Sequence, residues 1–88
     1  MKIKLKTPIE LNGVKVDQIT LREPTVGDQI TARRLANGDD AQFELNMFAS
    51  LVGCAPEDLH ALSLSDYKVM QKHYFRLVNG DEGAESAA

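Results

Sequence analysis

The chain has 88 residues, with 13 acidic side chains against 10 Lys or Arg, a net charge of −3 and a pI near 5.2; that balance argues against nonspecific nucleic-acid binding, which calls for a clustered basic face. A chain this short makes one small domain, expected over residues 1–80, which buries little more than about 60% of its unfolded surface, so its stability is marginal and a partner or homo-oligomerisation would add to it. No apolar run approaches the roughly 20 residues of a membrane span, the basic start lacks a signal-peptide core, and one cysteine, Cys54, leaves no internal disulfide, together predicting a soluble intracellular protein without a membrane partner.

Asn12-Gly13 lies between Ile9-Glu10-Leu11 and Val14-Lys15-Val16, the strongest short signal for a two-residue hairpin turn, since that turn needs positive φ at both central positions. The register pairs Leu11 with Val14 and Ile9 with Val16. The apolar parity then switches at Ile19 and Leu21, so a bulge near Asp17-Gln18 is expected. It would place Leu5, Ile9, Leu11, Val14, Val16, Ile19 and Leu21 on one face and Lys2, Lys4, Lys6, Glu10 and Lys15 in water.

Pro24 cannot donate to a sheet ladder and pushes Glu23 toward extended backbone, while Thr25 followed three positions later by Asp28 has the spacing of a capping box. The strand ends and a helix over Val26–Ala36 begins within Leu21-Arg22-Glu23-Pro24-Thr25-Val26-Gly27-Asp28. Pro24, Thr25, Gly27 and Asp28 are the structural junction. Asn37-Gly38 stops the helix. Its apolar stripe is poor: Val26 and Ile30 share a face and Leu35 lies almost opposite, as in a short, bent or doubly packed helix.

Asp39 or Asp40 caps a second helix running through Val52 and ended by Gly53. Phe43, Leu45, Met47, Phe48, Ala49, Leu51 and Val52 cover more than a one-sided stripe, which makes this helix central or leaves an apolar surface where another protein docks. Ala55-Pro56-Glu57-Asp58 opens a short helical turn anchored by Leu59 and Leu62. Ser63 with Asp66 caps a third helix to about Val78, striped by Leu64, Tyr67, Met70, Tyr74 and Leu77. The tail 81–88 has acidic and small residues and no large side chain, a composition of disorder. Strands followed by helices give an α+β class: an N-terminal β-hairpin packed by about three α-helices.

The sequence carries no constellation of catalytic chemistry. His60 and His73 do not join Cys54 or acids at metal-ligand spacing, the paired acids sit at helix boundaries, and the glycines match neither a P-loop nor a dinucleotide fingerprint. A non-enzyme without metal or cofactor is expected. Arg33-Arg34 either solvates its helix or touches phosphate or an acidic segment, the latter keeping open a small DNA-binding regulator or antitoxin.

The stretch Arg22-Glu23-Pro24-Thr25-Val26-Gly27-Asp28, following Lys6-Thr7-Pro8-Ile9 and leading into a Tyr- and Phe-bearing last helix, resembles the tail assembly chaperones of Mu-like contractile-tail phages and prophages. The resemblance implies a non-catalytic protein in the host cytoplasm that binds the tape measure protein, keeps it soluble, helps tail-tube protein polymerise around it, and is absent from the finished particle. It also implies an extended form made by ribosomal frameshifting. Phe43, Met47, Phe48 and Leu51 are the candidate partner-binding residues on the second helix, with Arg22 and Glu23 as candidate contacts at the junction. No nucleic acid is expected as a partner, and a structural tail protein is the remaining alternative.

Overall fold

The computed structural model describes residues 1–80; the acidic tail expected at 81–88 lies outside the described residues. Strands β1 (Lys2–Leu11) and β2 (Val14–Thr20) form an antiparallel hairpin, followed by α1 (Val26–Ala36), α2 (Asp40–Val52), a 3₁₀ turn (Pro56–Ala61) and α3 (Leu64–Asn79). This is the expected α+β class. Asn12 and Gly13 take φ of 54° and 81°, the left-handed pair that the tight turn requires, and Leu11 pairs with Val14 and Ile9 with Val16 as the turn dictates.

The irregularity falls on the other strand from the one expected. Lys4 pairs with Gln18 and Ile9 with Val16, so Leu5 to Pro8 oppose Asp17 alone. Two features of β1 explain the correction. Pro8 has no N–H for the ladder, and the N–H groups of Lys6 and Thr7 donate to the carboxylate of Asp66 on α3, at 3.0–3.1 Å. The detour still brings Ile3, Leu5, Ile9, Ile19 and Leu21 into the core, with Leu11 and Val16 packed at its edge. Val14, at the turn, is exposed instead.

The helix ends follow local chemistry. Thr25 and Asp28 complete both halves of a capping box, Asp39 caps α2, and Gly53 closes α2 in the left-handed region at φ 89°. Ser63 accepts from the Asp66 N–H, but the Asp66 carboxylate does not return to the cap. It is buried against β1, where two backbone donors outweigh one. The hairpin tip is fastened separately: Asn12 donates its backbone N–H to Asp58 and its side-chain amide to the Gly53 carbonyl, each at 3.1 Å.

Phe48 is the centre of the core, fully buried between the edges of Tyr67 and Tyr74, whose ring centroids lie 5.5 and 5.1 Å away. These contacts join α2 to α3 through side-chain tips. A polar pair reinforces them: Glu44 accepts from the Tyr67 hydroxyl and from the Gln71 amide, which explains why a carboxylate interrupts the apolar arc of α2. Burial and the Glu44 carboxylate push the Tyr67 phenol well above its ordinary pKa. Of the stripe expected on α3, Met70 is buried and Tyr67, Tyr74 and Leu77 are half-buried, whereas Leu64, at the first helical position, is exposed. His73 is half-buried with Nδ1 lacking a hydrogen-bond partner among the described residues.

Candidate protein-docking cleft

The junction between β2 and α1 is built as a lock. Leu21 is buried and exchanges two hydrogen bonds with Met1, donating its N–H to the Met1 carbonyl at 2.8 Å and accepting from the terminal ammonium at 2.9 Å. The Arg22 N–H then reaches the Leu51 carbonyl on α2 at 3.2 Å. The Arg22 guanidinium grips both Asp28 oxygens at 2.7 Å, while the Thr25 N–H donates to Asp28 at 2.9 Å. With donors from both sides, the Asp28 carboxyl is held far below the usual carboxylate range, chiefly by Arg22 and then by the Thr25 amide.

This lock sets the start of α1, which packs against α2. Between the start of α1, the first half of α2 and the end of α3 lies an open cleft of about 340 Å³. Glu23, Pro24 and Thr25 form its lip. Phe43, Met47, Tyr74 and Leu77 line it from α2 and α3, and Val26 and Val78 stand at its edges, 74% and 55% exposed. Phe43 is half-buried, with the Arg33 guanidinium 3.8 Å above its ring and Arg33 held by Asp40 at 3.0 Å.

The expected partner-binding residues thus separate. Glu23, Phe43 and Met47 come together at the cleft, with Pro24 and Thr25. Phe48 and Leu51 do not: both are core, and Met47 is itself buried, so three of the four α2 side chains expected to cover a client are already covered by the chain's own fold. An all-round apolar helix in this chain is a central helix, not an exposed one. Arg22 is engaged with Asp28, and Gly27 and Asp28 belong to the turn. Val26, Tyr74, Leu77 and Val78 were not singled out as a docking surface from sequence, because Tyr74 and Leu77 read as core stripe and the two valines as helix-end residues.

Nothing in this cleft supplies a nucleophile paired with a base, and among the described residues no group of three or more His, Cys, Asp or Glu could hold a metal. Cys54 is half-buried, and burial raises its thiol pKa. Among the described residues no helix is long and apolar enough to cross a membrane. The hollow mixes apolar side chains, Phe43, Met47 and Leu77, with the polar groups of Glu23, Thr25, Gln29 and Tyr74.

A family model described as phage tail assembly chaperone proteins, E, or 41 or 14, matches residues 2–79, nearly the whole chain. The chain belongs to the phage tail assembly chaperone family. The match spans the hairpin, the lock and all three helices, so every wall of the cleft lies within the family region. No curated protein and no solved structure gives a significant match. As a tail assembly chaperone, the chain works with protein partners in building a tail.

Proposed function

We propose that the chain is a non-catalytic chaperone that holds apolar helical segments of a tape measure protein in the α1–α2–α3 cleft and releases them as tail-tube subunits polymerise. The observation that carries this reading is the juxtaposition of an open cleft of mixed polar and apolar lining with exposed aliphatic edges, Val26 and Val78, in a member of this family. An amphipathic helix seats its apolar face in such a groove. A modest patch with a polar rim suits displacement by tube subunits better than a very large permanent interface would. The client is bound in the host cytoplasm, and the chaperone is absent from the finished particle.

The test is co-expression with the tape measure protein from the same genome, followed by pull-down. Wild-type protein keeps the client soluble and captures it. Val78→Asp, at an exposed edge, folds normally and loses capture, whereas Phe48→Asp would simply unfold the chain and decide nothing. Client that stays insoluble and unbound beside wild-type protein overturns the proposal.

A further inference from the structure

Strand β2 is an open edge of the sheet. The sheet has two strands, and on the β1 side the amides of Lys6 and Thr7 are taken by Asp66 and that of Asn12 by Asp58. Among the described residues, no hydrogen bond other than the ladder to β1 reaches Val14–Thr20. Leu11 and Val14 flank the two-residue turn and exchange both ladder bonds, Glu10 and Lys15 exchange none, and Ile9 and Val16 exchange both again. A trans peptide points its carbonyl and its N–H in opposite directions. Because Val14 and Val16 turn theirs to β1, the N–H and carbonyl of Lys15 and the N–H of Asp17 point away from it. A row of unpaired groups of this kind is a template for another strand. Nothing of the chain lies over it: an open hollow of about 610 Å³ runs alongside, lined by Pro8 and by Lys15, Val16, Asp17 and Gln18.

Charge identifies the strand that fits. Lys15 and Asp17 are exposed, flank the half-buried Val16, and stand on the outer face of the sheet as alternate residues of one strand. They carry opposite signs, and neither has an ion-pair partner among the described residues. We propose that β2 pairs antiparallel with β2 of a second copy of the chain, about a two-fold axis through Val16, joining two hairpins into one four-stranded sheet. The axis sets Val16 beside Val16 and each Lys15 directly opposite the other copy's Asp17, while each Asp17 N–H donates to the other copy's Lys15 carbonyl. Glu10 already stands opposite Lys15 within the hairpin, so each outer row reads acid, base, acid across three strands. Moving the axis by one residue would set Lys15 against Lys15 or Asp17 against Asp17, so the charges select the register as well as the partner.

Sedimentation velocity on the purified full chain tests this without any client, at low ionic strength where surface charges are least screened. One short strand pair is a small contact, so dissociation at about 10–100 μM is expected, with dimer at the top of a concentration series and monomer at the bottom. Lys15→Asp leaves two acids on the edge and Asp17→Lys leaves two bases; each weakens self-association at least about tenfold, with circular dichroism unchanged because both side chains are exposed. An equimolar mixture of the two variants restores association to within about threefold of wild type, since every facing pair is again opposite in sign. In the wild type, the amides of Lys15 and Asp17 exchange with solvent more slowly as concentration rises. Wild-type protein that stays monomeric throughout overturns the proposal, as does a dimer indifferent to both variants, a mixture no better than either variant alone, or amide exchange that ignores concentration. No residue of β2 lines the cleft, so loss of self-association and loss of client capture are separate results.

Discussion

Replacing Phe48 separates a core residue from a docking residue. Phe48 has no exposed surface and sits edge-on to two tyrosines. Truncation to alanine would cost about 3–5 kcal/mol, against a total of about 4–13 kcal/mol expected for a chain of this length. Phe48→Leu is the more informative change, since it keeps most of the volume and none of the ring geometry. Two edge-to-face pairs at about 0.5–1.5 kcal/mol each set its cost at about 1–3 kcal/mol. Urea unfolding followed by circular dichroism would show the midpoint falling by about 1–2 M with the slope unchanged. The cost of Tyr74→Leu should shrink when Phe48→Leu is already present, because the two rings share one contact. An unchanged midpoint, or a Tyr74→Leu cost independent of Phe48, would refute the placement of Phe48 as the junction of α2 and α3.

Val78→Asp should change the urea midpoint by no more than about 0.5 kcal/mol equivalent, yet abolish capture of the tape measure protein in the pull-down. Asp66 and Asp28 are both held below the ordinary carboxyl value of 3.8. Their stabilisation is therefore complete above that value and is lost as pH falls toward the lowered folded values; Asp66→Asn should lower stability at neutral pH and flatten the acid limb of a stability-against-pH curve. Tyr67→Phe removes a hydroxyl donor to Glu44 and should cost about 1 kcal/mol in the same urea assay, with an alkaline limb above pH 10 shallower than wild type, because the raised phenol's contribution is complete below its unfolded pKa and is lost as pH rises toward the higher folded value.

Local chemistry made most of the element boundaries legible. Asn12-Gly13, the Thr25–Asp28 box, Asp39, Gly53 and Ser63 each act within four residues of themselves, and each marks an element end. The strand irregularity was not legible in place, because its cause, the Asp66 carboxylate, lies sixty positions away. The α2 face was misread for a related reason. Periodicity shows that Met47, Phe48 and Leu51 are apolar on several sides, but only the positions of the elements packed around α2, α1 foremost, decide that all those sides are covered. The Val26–Ile30 face, by contrast, was visible as an unresolved stripe, and the structure leaves it uncovered.

The reach from Asp66 back to Lys6 and Thr7 also bears on how the chain matures during synthesis. The hairpin and α2 are made first, but two β1 amides lack their acceptor and Phe48 lacks both flanking rings until α3 has been translated. Long-range closure of this kind is slow relative to local helix formation. Every nascent copy therefore passes through an interval in which its own hydrophobic centre is open on one side, and residues 64–79 act as an internal guardian of that centre before the finished protein can serve as one for anything else.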